Sequence, residues 1–317
     1  LHYPLRRQRQ MCIRDRETIR IGEEGALPTQ VTHHKIIGVG NWGRSKETLR
    51  LVLEARARGV DVTIDQYPYT ASSTSIGAIF PQWAMAGGGG GLKARLADPA
   101  QRAKIKEVIV TRLREDRGGG DPKNVAMARC AEAGLAGKNL AEITQARGRA
   151  VTFENAAETM IELQQSGGCQ GIFHAISEED VERILRFPLT MVGSDGQIPV
   201  FGEGNPHPRS YGNFVRVLGR YVRERKALSL EEAVRKMTSL PAARLKLLDR
   251  GLLRPSMKAD VAVFDPARVA DQATFTQPHQ YAEGISWVLV NGKPVVANGA
   301  VTKERPGRVL YGPGYAR

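Results

Sequence analysis

Long apolar runs are missing from this 317-residue chain: no stretch approaches the roughly 20 consecutive apolar residues that span a bilayer, and no secretory leader is readable. The expectation is a soluble, cytoplasmic chain with no membrane partner. Cysteine is scarce as well. Cys12, Cys130 and Cys169 are odd in number and lack C-x-x-C spacing, which argues against a disulfide framework or a zinc ribbon and fits a reducing compartment. Acidic charge is in deficit, with a net charge of +13, and this raises nucleic acid as a partner. The distribution argues against it. The first sixteen residues hold five arginines and one aspartate, leaving +9 on the other 301, where Lys and Arg alternate with acids at helical spacing as on a solvated helix face. No recognition motif accompanies the charge, so no nucleic-acid partner is expected.

What is present begins after residue 16. Residues 1–16, "LHYPLRRQRQMCIRDR", have no periodicity, and "MCIRDR" resembles a translated adaptor sequence, so this segment reads as non-native and is set aside from the fold. Helix "RETIRIGEEG" leads to strand "TQVTHH". Then comes "SKETLRLVLEARARG", a helix with Ser45 as N-cap and Gly59 just past its end, followed at once by strand "VDVTIDQYPY". Strand, helix and strand joined by short links make a βα repeat with parallel strands. The pattern continues with strand "GGCQGIFHAIS", helix "EEDVERILRF" and strand "LTMVGSDG". Between them an insertion at about 74–165 carries glycine runs at 87–91 and 118–120, which predict flexible links around a mobile cap. From about 248 to 308 short strands and an Asn-Gly turn at 291 and 292 predict a small β domain, with 309–317 as a tail.

Two strand ends carry candidate chemistry. In "VTHHKIIG", alternation sends one of His33 and His34 inward and the other toward the helix layer, so at most one is a ligand; the pair by itself is read more simply as capping or hydrogen bonding. In "MVGSDG", Asp195 is either a turn aspartate or a carboxylate placed to take and return a proton. A strand-end histidine beside it favours the second reading.

The blocks "THHKIIGVGNWGRSKETL", "DQYPYTASST", "GSDG", "NPHPRSYGNFVRVLGRYVRE", "KMTSLPAARLKL", "ADVAVFDPARVADQATF" and "VLVNGKPVV" together resemble the D-aminoacylase (N-acyl-D-amino-acid deacylase) family of the amidohydrolase superfamily, over about residues 16–310. The resemblance implies an α/β fold: a metal-dependent (β/α)₈ barrel, here its C-terminal part over 17–247, with the cap insertion, and a small β-sandwich domain. It implies Zn2+ as cofactor, His33 as zinc ligand, Asp195 as catalytic residue, and Lys35, Tyr67, Ser73 and Arg209 as binders of substrate carboxylate or scissile carbonyl. Each of these four has a plainer alternative: a surface charge for Lys35, a core aromatic for Tyr67, a turn hydroxyl for Ser73, a loop salt bridge for Arg209. His174 reads as pocket lining or core, and His207, between two prolines, as shaping the loop that presents Arg209.

The chain departs from the family pattern in having no H-x-H, no cysteine ligand on a middle strand and no histidine one βα unit before His33. His2 lies 31 residues upstream, inside the set-aside segment. The reading is therefore an incomplete zinc-dependent deacylase of N-acyl-D-amino acids, with a small-molecule partner, poor zinc affinity and no activity as an isolated chain. A cyclic-amide hydrolase of the dihydroorotase or hydantoinase kind is the alternative within enzymes. A non-catalytic fragment or scaffold is the alternative outside them.

Overall fold

The computed structural model describes residues 15–312 and Tyr315; His2, Cys12 and the rest of the set-aside segment lie outside the described residues. Residues 15 and 16 are part of a helix, α1 (15–24), and Asp15 stands 3.6 Å from His34 Nδ1. Three strands, β1 (Thr29–Val31), β2 (Val62–Gln66) and β6 (Thr190–Val192), form a parallel sheet in the order β1-β2-β6. In β2, "VTIDQ", every residue but one is buried, as expected where a parallel strand is covered on both faces. Between β1 and β2 runs α2 (Ser45–Ala57), which places Leu49, Val52 and Ala55 in a core with Ile36, Val62 and Ile64. Gly59 follows in the left-handed region at φ 93°, as the C-terminal signal predicts. Ser45 is not the N-cap. It opens the first turn, and its hydroxyl is given to Asp180 Oδ1 on α8 (Glu178–Arg186), a distant partner that local sequence does not reveal.

The stretch expected as an insertion departs from expectation in three ways. Strands β3 (Ser72–Ser75), β4 (Val125–Cys130) and β5 (Cys169–Phe173) form a separate antiparallel sheet in the order β3-β5-β4. The segment "GGCQGIFHAIS" thus pairs with Ser72–Ser75 and Val125–Cys130 rather than joining the parallel sheet. Helices α3 (Gln82–Met85), α4 (Gly88–Ala97), α5 (Pro99–Glu115), α6 (Leu140–Ala146) and α7 (Phe153–Gln165) complete it around buried Ile79, Phe80, Ile105, Ile109, Met160 and Phe173. The glycine runs are not links. Gly88 to Gly91 open α4, and Gly119 makes a tight turn after α5, where a Cβ would stand 2.2 Å from His174 O. The third correction is covalent. Register pairs Cys130 with Cys169, and the two are joined by a disulfide across the β4–β5 pair, contrary to the expectation of free thiols.

After β6, α9 (Arg209–Arg216) passes into a π-helical segment (Val217–Glu224), followed by α10 (Leu230–Met237) and α11 (Ser239–Arg244). Gly212 and Gly219 lie on one face of α9 and its extension, where added Cβ atoms would meet Asp271 at 2.6 Å and Val269 O at 2.8 Å. They let the helix sit directly against the 269–271 segment. The chain ends in an antiparallel sheet of β7 (Val261–Phe264), β8 (Ile285–Val290), β9 (Lys293–Ala297) and β10 (Ala300–Val301). The β8–β9 hairpin turns at Asn291 and Gly292, both at positive φ, as that dipeptide predicts. No helix among the described residues is long and apolar enough to cross a membrane.

Candidate active site

Parallel strands end at a common edge, so the residues just beyond β1, β2 and β6 are gathered there. Asp65, on β2, does much of the gathering: its carboxylate accepts from His33 N at 2.7 Å and from Gln30 Nε2 at 2.8 Å, while its carbonyl accepts from His34 N at 2.7 Å. On the other side Gly193 N donates to Gln66 O at 2.9 Å, fixing the chain just before Asp195. His33 and Asp195 are both held in the left-handed region, at φ 45° and 48°. Non-glycine residues in that region cost about 1–3 kcal/mol each, and they gather at functional sites.

His33 and His34 separate as alternation requires. His34 is buried toward α2, its Nε2 2.9 Å from Thr48 Oγ1. His33 turns to Lys35, whose Nζ lies 2.9 Å from His33 Nδ1 and also donates to His33 O. Burial and the neighbouring ammonium lower the His33 pKa, favouring the neutral imidazole. Burial pulls Lys35 down to about 7, opposed by the Asp195 carboxylate. Lys35 Nζ is also 5.2 Å from the centre of the Tyr67 ring.

Arg209 approaches the same ring from α9. Its guanidinium lies 4.6 Å from the Tyr67 centroid, and Nη2 is 3.0 Å from Asp195 Oδ2. The arginine side chain is 7% exposed and the aspartate 45%, so a buried cation holds a carboxylate that faces outward. Neither Arg209 Nη1 nor the buried hydroxyl of Tyr67 makes a well-formed hydrogen bond; burial raises the Tyr67 pKa, and the Arg209 guanidinium beside the phenol opposes the rise. His33, Lys35, Tyr67, Arg209 and Asp195 therefore form one continuous set. Ser73 is not joined to it by hydrogen bonding: on β3, its hydroxyl accepts from Gln170 Nε2 at 3.2 Å.

The remaining histidines hold the surroundings. His207 Nδ1 accepts from Arg209 N at 3.1 Å, so Nε2 carries the proton and donates to Ala71 O at 3.0 Å. This ties the start of α9 to the segment before β3. Burial, with Arg209 nearby, pushes the His207 pKa down to about 3. His174 packs edge-on against Phe275 at 4.5 Å, and burial lowers its pKa.

Two residues of the site escape the sequence reading. Asp65 carries a usable signal, because an acid in the buried run "VTIDQ" needs a partner. Asn213, one helical turn after Arg209, is 3% exposed with both amide atoms unpartnered. Beyond it Arg216 covers the Tyr69 ring at 4.7 Å and donates to Pro68 O, so this face of α9 looks onto residues 67–69. Nothing local marks Asn213.

The set has a buried guanidinium, a half-buried lysine, a buried phenol and an outward carboxylate. It is suited to holding an anion beside a group that can carry a proton. Its fit to zinc is poor: His33 Nδ1 faces an ammonium and Asp195 a guanidinium, and no three His, Cys, Asp or Glu side chains gather among the described residues.

Comparison with known proteins agrees with the sequence resemblance. D-aminoacylase of Alcaligenes xylosoxydans xylosoxydans is 39% identical over 294 residues, 93% of this chain and 51% of that protein. N-acyl-D-glutamate deacylase of the same organism is 37% identical, over 93% of this chain and 50% of that protein. A crystal structure of D-aminoacylase superposes with TM-score 0.74 at 38% identity, over 93% of this chain and 52% of that one. N-acyl-D-glutamate deacylase from Bordetella bronchiseptica, complexed with zinc and a phosphonate mimic of the tetrahedral intermediate, superposes with TM-score 0.70 at 35% identity, over 93% and 52%. The chain thus spans about half the length of the relatives it matches. Residues 17–296 match the Amidohydrolase family, and the chain belongs to that family.

Proposed function

We propose that this chain supplies the substrate-carboxylate site and the proton-carrying aspartate of a metal-dependent deacylase of N-acyl-D-amino acids. In that reading the parallel sheet belongs to the C-terminal part of a (β/α)₈ barrel, over 17–247, the insertion at about 74–165 is its cap, and 248–308 belongs to a small β-sandwich. The observation that supports it best is Arg209: buried, one nitrogen on Asp195 and the other without a well-formed hydrogen bond, beside Lys35 and Tyr67. A planar guanidinium is suited to a carboxylate, and every N-acyl amino acid carries one. Arg209 and Lys35 hold that group, and Tyr67 and Ser73 serve the scissile carbonyl. Asp195 takes a proton from water as its oxygen adds to the amide carbon, then delivers it to the nitrogen as the C–N bond breaks, leaving a carboxylic acid and a free amino acid. The relatives' names supply the D configuration and a linear rather than cyclic amide. The solved relatives have a binuclear metal centre in one case and bound zinc in another. His33 is our candidate ligand for Zn2+, and no three-ligand set gathers around it among the described residues.

Calorimetric titration of the chain with N-acetyl-D-methionine and with its carboxamide tests the reading. The acid should bind tighter by about ten- to a hundredfold, the worth of roughly 1.5–3 kcal/mol for a charge-assisted contact, and Arg209→Ala should erase the difference. Equal affinities in the folded wild-type chain would overturn it. Metal analysis of the same chain should find well under one zinc per molecule. Stoichiometric zinc with amine release would show that the ligand set is complete after all.

A further inference from the structure

Two segments leave the Asp195–Arg209 pair side by side: Gln197 N donates to Ser210 Oγ at 3.1 Å, and a Cβ on Gly196 would stand 3.2 Å from Arg209 O. Between them opens a cavity of ≈ 300 Å³, lined by Ile198, Pro199, Phe201, Tyr211 and Tyr281 with two uncharged polar residues. Phe201 stacks on Tyr281 at 5.2 Å and meets Tyr211 edge-on at 6.2 Å. This wall is pinned. His279 Nδ1 accepts from Tyr211 Oη at 2.8 Å and from Gly202 N at 3.2 Å, and Nε2 donates to Gly204 O at 3.1 Å. Yet its apolar surface stays open, with Ile198, Val200, Phe201 and Tyr281 all exposed.

Resting on the deacylase reading, we propose that this aromatic pocket receives the apolar group of the substrate and sets a preference for N-acyl-D-amino acids whose side chain or acyl group is bulky and uncharged. Its lining starts at Gln197, two residues beyond Asp195, and at Ser210, directly after Arg209, so a substrate anchored at Arg209 has its remaining bulk within reach. No lining residue carries a charge, so burial of methylene and ring carbon is rewarded there and burial of a second carboxylate is not. The apolar group has two sources in an N-acyl amino acid, the acyl chain and the amino-acid side chain.

Affinities of the 317-residue chain for N-acetyl-D-alanine, N-octanoyl-D-alanine, N-acetyl-D-phenylalanine and N-acetyl-D-glutamate decide the matter. The octanoyl or the phenylalanine compound should bind at least about tenfold tighter than N-acetyl-D-alanine, the one that gains naming the source, while the glutamate compound gains nothing. Phe201→Ala and, on a different segment, Tyr281→Ala should each bring the ratio close to one, with circular dichroism confirming the fold. No gain in either series, or a gain that survives both substitutions, overturns the proposal. A gain that persists while the acid and carboxamide of methionine bind equally sinks the deacylase reading and leaves the apolar site standing.

Discussion

The strand-end cluster and the antiparallel sheet with its helices α3 to α7 are built on opposite terms. In residues 74–165 the starts of α5, α6 and α7 and the buried hydroxyls are closed by side-chain partners. Asn139 and Glu142 form a reciprocal capping box on α6, Asp98 and Thr152 cap α5 and α7, and Arg147 and Arg149 both close on Glu162. Thr144 and Thr159 bond each other inside the core, and the disulfide crosses the sheet. Among residues with buried side-chain polar atoms that lack a well-formed hydrogen bond, this stretch contributes Gln164, whereas Tyr67, Tyr69, Arg209 and Asn213 are grouped around the end of β2 and the face of α9. The cluster also contains the left-handed His33 and Asp195. The difference teaches where stability is held and where it is spent: groups waiting for a ligand cannot also be satisfied internally.

The largest test of that contrast is Asp195→Asn. In a polypeptide that carries this chain and hydrolyses N-acetyl-D-methionine, turnover should fall by about 10² to 10⁴ with bound metal unchanged, while the melting temperature barely moves. Retained turnover would remove Asp195 from the reaction, and a large drop in melting temperature would place it among structural residues. Cys130→Ser should do the reverse. Cys130 and Cys169 are 39 residues apart, and releasing a loop of that length costs about 2–4 kcal/mol in the chain-entropy account. Denaturant unfolding should register the loss, and the preference for acid over carboxamide should persist; a lost preference would mean that the insertion shapes the site directly.

Per unit of pH, the smallest effect is on acid stability. His207 is held neutral in the fold, its pKa about 3 against about 6.5 in an unfolded chain, so its contribution is complete above pH 6.5 and is lost as pH falls toward 3. Stability should decline by up to about 1.4 kcal/mol per pH unit across that window from this residue, and His207→Gln should flatten the decline. Identical slopes in urea melts from pH 7 to pH 4 would mean that His207 is not the group being protonated.

Local pattern made much of this molecule legible. The apolar spacing of α2, the β-branched run of β2 and the acid-first, base-last helix α8 are readable because each depends on neighbours within one or two turns. His33 and Asp195 stand out because the C-terminal ends of parallel strands lie on one edge, and the Asn-Gly turn is readable because two residues suffice to make it. The fate of "GGCQGIFHAIS" was not legible: its alternation says strand but not which sheet, and only the arrival of residues 72–75 and 125–130 beside it settles the pairing. The glycine runs mislead for a related reason, since glycine serves flexibility in solvent and close approach in a packed turn, and the sequence does not say which surrounds it.

By itself the sequence determined the α/β order, the family resemblance and the residue types able to hold an anion and carry a proton, because these depend on periodicity and on chemistry carried within short blocks. Only the tertiary structure decided that Cys130 meets Cys169, that Asp65 ties β1 to β2, that Ser73 bonds Gln170, and that Asn213 and the Phe201–Tyr281 wall stand beside Arg209. Each is a contact between segments tens of residues apart or more, or is placed by such contacts, and which groups remain unpaired is known only when every such contact has been made.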